Sequence, residues 1–378
     1  MNYNRPVRND SAVTVKVMCA LVFVVFTFLW TFFFQADVLA VTQHVLSDGK
    51  TVYNRTVGAF IITLVLMLLQ LGVSNIVKLN SRVHSLTYFP SMLVLSMLTS
   101  GGEPFWYWLV PVLLALWAMT VNVARKLRLN KLQADFGLLS RVMWREIFFM
   151  ALMMMGVAFL SNTNAVYHYR AHIENSMKNL CFDEALATGV RSHESDASLT
   201  MLRAYVLSRK GEMGERLFEF PIVGSGADLV PLPSSKSTFL IYPQDSLYRH
   251  LGAIPRPGMD TPAFLSALQR SGQATEAVRD YVLCGLLIDR NLDGFAQAVG
   301  RYYDVSDSVI LPRHYREALT LYTHQRSNPV IVFHHPVTDE DYNDLQELES
   351  QYADPLERRV RVMEKYFGSY WYYYKYEQ

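Results

Sequence analysis

Long charge-free apolar runs fill the first part of the chain, and apolar residues at helical spacing fill the rest. Val17–Phe34 holds no charged residue, and Gly58–Val77 is a second such run, stopped by Lys78. Pro104–Ala124 is a third, with Trp106, Tyr107 and Trp108 at one edge, where an interfacial aromatic belt would place them. Ile147–Leu160 is a fourth and continues charge-free to Tyr169. Hydrocarbon about 30 Å thick needs roughly 20 apolar residues to cross. The pattern therefore predicts membrane-spanning helices over 17–34, 58–77, 104–124 and 147–164. A fifth is predicted over 86–100, although this stretch is short and contains Pro90. A re-entrant or interfacial segment is the alternative there.

Flanking charge decides between four spans and five. With five spans and the N-terminus in the cytoplasm, segments 1–16, 78–85 and 125–146 lie inside and hold 11 basic against three acidic residues. The loops 35–57 and 101–103 lie outside, with two basic against three acidic. Four spans would put the six basic residues of 125–146 outside, against the positive-inside rule. Five spans follow, and the C-terminal part lies on the outer face. Val38-Leu39-Ala40 has the small-residue look of a signal cleavage site. It falls late and further apolar segments follow, so an uncleaved first span is expected.

The predicted spans contain no Asp, Glu, Lys or Arg. Gln70, Asn75 and Asn122 are their notable polar residues, with Glu103 in a flanking loop. Interhelical hydrogen bonds worth about 1 kcal/mol each are the expected role of Gln70 and Asn122. Without intramembrane ionisable groups an ion-coupled carrier is disfavoured.

From Ala165 onward the spacing predicts helical hairpins over Met177–Val190, Ser198–Leu207, Glu276–Leu287, Leu292–Tyr303 and Arg313–Tyr322. Pro312 suits the first position of its helix. The segments CFDEALATG (181–189), GQATEAVRDY (272–281) and NLDGFAQAVGRY (291–302) share a turn followed by an acid or amide and a small residue. Their spacing has no clean period, so any repeat is degenerate. Residues 221–262 hold seven of the 15 prolines and read as an irregular connector, with Phe239–Tyr242 offering apolar residues to pack it down. The expected fold class is all-α: polytopic membrane helices (1–165), then a tetratricopeptide-like (TPR-like) α-hairpin solenoid (166–378).

Composition agrees with this division. Only 18% of the 378 residues are charged, against about 25% for a soluble domain, and 51% are hydrophobic. Disorder is excluded. The outer part holds 22 basic against 28 acidic residues, which argues against nucleic acid as a partner.

The phrases ADVLAVTQHVLSDGKTVYNRTVGA (36–59), GEMGERLFEFP (211–221), LPRHYREAL (311–319) and YFGSYWYYYKY (366–376) are scattered along the chain. In them the sequence resembles a family of uncharacterised Bacteroidetes membrane proteins. That resemblance implies a bacterial inner-membrane location and a degenerate TPR-like ectodomain. It carries over no functional residue.

Candidate chemistry is thin. Asp289-Arg290-Asn291-Leu292-Asp293-Gly294 fits the opening of a calcium loop, but Gly300 stands where a bidentate Glu belongs. A turn with Asp293 capping the next helix is the expected reading. His168 and His172 share a helix face without the Glu of a zinc-protease helix, and His334-His335-Pro336 is likewise incomplete as a ligand set. Gly224-Ser225-Gly226 lacks the outer glycines of a nucleophile elbow. Cys181 and Cys284 lie in a disulfide-permissive compartment, yet apolar neighbours make buried thiols the expectation for both. The aromatic C-terminus is expected to pack back as a lid. Its other readings are insertion at the membrane interface and a partner-docking patch, with Tyr370, Trp371 and Tyr372 as the docking candidates. Neither catalytic residue, metal nor cofactor is expected. The partners expected are the lipid bilayer and a periplasmic protein, for a membrane-anchored scaffold or, alternatively, a component of a transporter or channel complex.

Overall fold

Polar residues inside and apolar residues outside mark the N-terminal half of the computed structural model, which describes residues 10–79, 81–102, 105–126, 140–305 and 311–377. The chain divides into two units, 1–164 and 165–378. Both are helical, with no strand among the described residues.

The first unit opens with α1 (Asp10–Leu29), which runs on through a π-helical turn, Trp30–Phe34. Then come α2 (Ala36–Leu46) and α3 (Arg55–Val77). A 3-10 stretch, Ser81–Tyr88, leads into α4 (Phe89–Leu98), and α5 (Trp106–Lys126) and α6 (Arg141–Leu160) complete the unit. Among the described residues four helical stretches are long and apolar enough to cross a membrane: Val13–Phe34, Arg55–Val77, Trp106–Lys126 and Arg141–Leu160. The fifth expected segment forms a shorter apolar helix, Val83–Leu98. Phe60, Ile76, Phe148 and Phe159 face outward, whereas Thr63, Gln70, Ser91 and Thr99 are buried. In water this arrangement would be inside out. In lipid, hydroxyl and amide groups turn inward to bond across helices. Ser91 Oγ donates to the Leu66 carbonyl at 2.9 Å, and Gln70 Nε2 donates to Thr87 Oγ1 at 2.9 Å.

These bonds fix the helix directions. Arg55 Nε donates to the Phe32 carbonyl, so α3 begins level with the end of α1. The pairs Leu66–Ser91 and Gln70–Thr87 run the 81–98 segment antiparallel to α3. Arg125 Nε reaches the Val77 carbonyl at 3.1 Å, so α5 and α3 end level. Ser85 N–H bonds to Glu146 and Thr99 Oγ1 meets Ser161 Oγ at 2.6 Å, so the 81–98 segment runs parallel to α6. The five apolar segments therefore alternate in direction. Segment 85–99 keeps level with 146–161 because the 3-10 part advances about 2.0 Å per residue against 1.5 Å in an α-helix. The short segment is buried: Tyr88, Met92 and Leu95 belong to the core of this unit.

Two sequence expectations change here. Helix α6 starts at Arg141, capped by Ser140 Oγ accepting the Met143 N–H, so Arg145 and Glu146 lie inside an apolar helix expected to be free of ionisable groups. Of the expected polar residues only Gln70 turns inward, while Asn75 and Asn122 are exposed. Glu103 and residues 127–139, with Arg128, Lys131 and Asp135, lie outside the described residues, as do Arg5 and Arg8.

The second unit contains α7 (Ala165–Lys178), α8 (Phe182–Ala187), α9 (Ala197–Lys210), α10 (Met213–Arg216), α11 (Gln244–Leu251) and α12 (Thr261–Ser271). It continues with α13 (Ala277–Ile288), α14 (Leu292–Val299), α15 (Arg313–Gln325), α16 (Pro336–Gln351), α17 (Pro355–Tyr366) and α18 (Tyr370–Tyr376). From α13 onward each helix packs on the next. The expected helix over Met177–Val190 is broken at Leu180, which takes a left-handed φ of 59° between α7 and α8. Pro312 stands one place earlier than expected, as the cap before α15.

Candidate functional site

The proline-rich connector is ordered because buried carboxylates hold its backbone. Glu174 on α7 is fully buried, and its carboxylate accepts the N–H groups of Leu240, Ile241 and Tyr242 at 2.7–2.9 Å. Asp228 accepts Lys236 N–H at 2.7 Å, and Ser225 N–H and Oγ–H at 2.9 Å each. Burial opposes ionisation of Asp228, but these donors hold its carboxyl below the ordinary aspartate range. Gly224-Ser225-Gly226, which lacks the outer glycines of a nucleophile elbow, is thus the capped start of a 3-10 turn, Gly226–Leu229. That turn lies against α13, and a Cβ on Gly226 would come within 2.6 Å of the Gly285 carbonyl oxygen.

Gly226 and Gly285 also line a cleft of about 320 Å³ between α12, α13 and α14. Pro262, Leu265 and Leu286 give it apolar walls, and Gln269, Gln297 and Arg301 give it polar groups. Gln269 Nε2 donates to Tyr302 Oη. Arg301 is exposed and forms no ion pair among the described residues. The cleft can orient an amide or carboxylate over an apolar bed.

The aromatic C-terminus fills the other side of α13 and α15. Tyr370, Trp371 and Tyr372, the expected docking candidates, are core residues, each at most 3% exposed. Their burial follows from bonds and rings together. Glu317 Oε2 accepts Tyr370 N–H at 2.7 Å, the Glu317 carbonyl accepts Trp371 Nε1–H at 2.7 Å, and Tyr373 Oη donates to the Ile288 carbonyl at 2.7 Å. Phe218 packs against the rings of Tyr370 and Tyr373. Gly368, at φ 85°, makes the turn into α18 that a side chain would strain.

The remaining sequence candidates take structural roles. Asn291, rather than Asp293, caps α14 by accepting Gly294 N–H at 2.8 Å. Asp293 pairs with Arg326 at 2.7 Å, and Asp289 accepts Gly226 N–H at 2.8 Å. The three oxygens of the calcium-like loop therefore serve three different partners. His172 lies 3.4 Å from Glu184, and His335 caps α16 by accepting Thr338 N–H. His334 faces Asp339 at 3.4 Å. Among the described residues no three His, Cys, Asp or Glu side chains gather as metal ligands would.

Cys181 and Cys284 are both free thiols, and Cys181 is exposed, contrary to expectation, because it stands at the start of α8 just after the break at Leu180. Cys284 is buried beside Tyr315 Oη at 3.4 Å, and burial pushes its thiol up, away from the nucleophilic form. Asp280, also buried, accepts from both Tyr315 Oη at 2.9 Å and Tyr303 Oη at 3.1 Å. Tyr315 thereby ties α13 to α15, and Tyr303 ties α13 to the turn after α14.

A family model, described as a family of unknown function (DUF6057), matches residues 257–377. The match takes in α12 to α18, most of the cleft and the whole aromatic tail, and leaves out the first unit. No curated protein and no solved structure matches the chain.

Proposed function

We propose that this protein is a membrane-anchored scaffold or adaptor. Its first unit crosses the bilayer five times, and its second presents a TPR-like helical surface to a protein partner in the periplasm of a bacterium. The observation that carries the reading is the open cleft between α12 and α14, lined by the amides of Gln269 and Gln297 and by Arg301, which forms no ion pair among the described residues. Val330, Val332 and Val337 add exposed apolar surface on the same unit. Exposed apolar residues near polar ones suit protein docking. The topology is supported by the five alternating apolar segments. Lys78, Arg125, Lys126, Arg141 and Arg145 gather at the end where α3 and α5 finish and α6 begins. The positive-inside rule makes that end cytoplasmic and sends residues 165–378 to the other face.

The test is crosslinking in intact cells, followed by mass spectrometry of what co-purifies with tagged protein. A stoichiometric partner crosslinked within 257–302 is expected, and its loss in Arg301→Ala would assign it to the cleft. A protein that crosslinks only to itself would end the scaffold reading. A periplasm-dependent reporter fused after Gln378 should be active, and activity of a cytoplasmic reporter there would reverse the orientation. The second reading, a component of a transport complex, is favoured by one residue, Glu146.

A further inference from the structure

Glu146 lies in the second turn of α6, 0% exposed, with Cys19 and Tyr88 among the buried residues around it. An ionised carboxylate offers about four acceptor positions. Here Oε2 accepts one N–H, from Ser85 at 2.8 Å, and Oε1 makes no hydrogen bond. The buried Ser85 hydroxyl lies beside the same carboxyl. We propose that Glu146 is a proton-binding site within the membrane unit.

The surrounding charges fit a proton better than a metal ion. On its own helix Arg145 stands 3.6 Å from Oε1 with a side chain that is 43% exposed, so the pairing is partial. On α1, Cys19 faces the carboxyl and Lys16 lies near His84. On the 81–88 stretch, His84 is buried, its ring edge-on to Tyr88 at 5.7 Å. Helix α4 brings no titratable group, and α3 brings Gln70, whose Oε1 is buried and unbonded. A metal ion would need several converging oxygen or nitrogen ligands, and among the described residues none converge. A proton needs one.

Proton uptake at Oε1 neutralises the carboxylate and supplies an O–H that can donate to Ser85 Oγ. The Ser85 N–H bond to Oε2 then loses its charge assistance, which is worth about half its strength. Occupancy is thereby felt at the start of the 81–98 segment, which sits between α1, α3 and α6. A buried carboxyl in an apolar helix is where proton pathways are built. This inference does not depend on the partner of the outer unit.

The experiment uses the full chain in lipid vesicles. Infrared difference spectra are recorded between about pH 5 and 9, the range open to a buried carboxyl, for the protein and for Glu146→Gln, whose amide oxygen still accepts the Ser85 N–H. The expected result is a protonated-carboxyl carbonyl band that titrates in this range and is missing in the variant. In parallel, dicyclohexylcarbodiimide, which attacks protonated carboxyls in apolar surroundings, should label Glu146 about tenfold less for each pH unit above the midpoint. A carboxylate signal that persists across the range, or a band unchanged in Glu146→Gln, overturns the proposal. Either result would leave Glu146 as a clamp on Ser85.

Discussion

Two glutamates, one in each unit, are equally buried and differently satisfied. Both Glu146 and Glu174 are 0% exposed. Glu174 receives three backbone N–H groups, and its bonds reach both oxygens. Burial holds its carboxyl above the ordinary range, and the three donors offset only part of that rise. Glu146 receives one N–H, and its other oxygen faces only the partly exposed Arg145 at 3.6 Å. Burial alone therefore does not say what a carboxyl does. The donors around it decide whether it organises a backbone or waits for a proton.

The largest effect should come from removing the better-satisfied carboxyl. Glu174→Leu leaves three N–H groups without an acceptor, each costing about 1–3 kcal/mol if the connector stays buried. The cheaper outcome is release of residues 238–242 into water. Hydrogen exchange on the whole protein should show those amides losing protection, while α13 to α15 keep theirs. Glu146→Leu orphans a single N–H and should cost about 1–3 kcal/mol. Equal losses in the two variants would erase the contrast between the sites.

Next in size is Trp371→Ala. It removes a buried ring and the bond to the Glu317 carbonyl, at a cost of about 3–5 kcal/mol. Limited proteolysis should then open α16 to α18. If the variant keeps its resistance to protease yet loses a co-purifying partner, the ring docks a partner in the working state.

Acidification should loosen the connector in two stages. His250 is half-buried against Ser208 Oγ at 2.9 Å, and desolvation, followed by the nearby Arg209, lowers its pKa from 6.5 to about 4. Below 6.5 the unfolded chain takes up a proton that the folded one refuses, so its stability contribution is full above 6.5 and drains away down to about 4. Asp228, held low by its donors, contributes above the ordinary aspartate value of about 3.9 and is lost below it. The melting temperature of the second unit should fall from pH 6.5 to 4, and His250→Gln should flatten that limb.

What could be read in advance followed from periodicity. The four long apolar helices, most of the later helices and the packing of the tail all rest on apolar spacing, which needs no tertiary knowledge. The start of α6 was also legible: Ser140 ahead of an apolar run is a cap signal, and heeding it places Glu146 inside the helix. Glu174 was not. Its partners are 66–68 residues away, and nothing in Ile173-Glu174-Asn175 distinguishes a buried clamp from a solvated acid. The exposure of Cys181 hangs on one left-handed residue, Leu180, a conformation its side chain does not announce.

The smallest effect is the most selective. Arg301→Ala touches an exposed side chain with no ion pair among the described residues, so the melting temperature should move little, within about 0.5 kcal/mol of stability. In the first unit Glu146→Gln should be similarly mild, since its amide oxygen still accepts the Ser85 N–H. The two variants then divide the molecule. If only Arg301→Ala loses a crosslinked partner and only Glu146→Gln loses a titrating carbonyl band, recognition belongs to the outer helices and proton binding to the membrane helices. If either variant loses both signals, the two units work as one device, and a change in the charge of a buried carboxyl is read at the cleft.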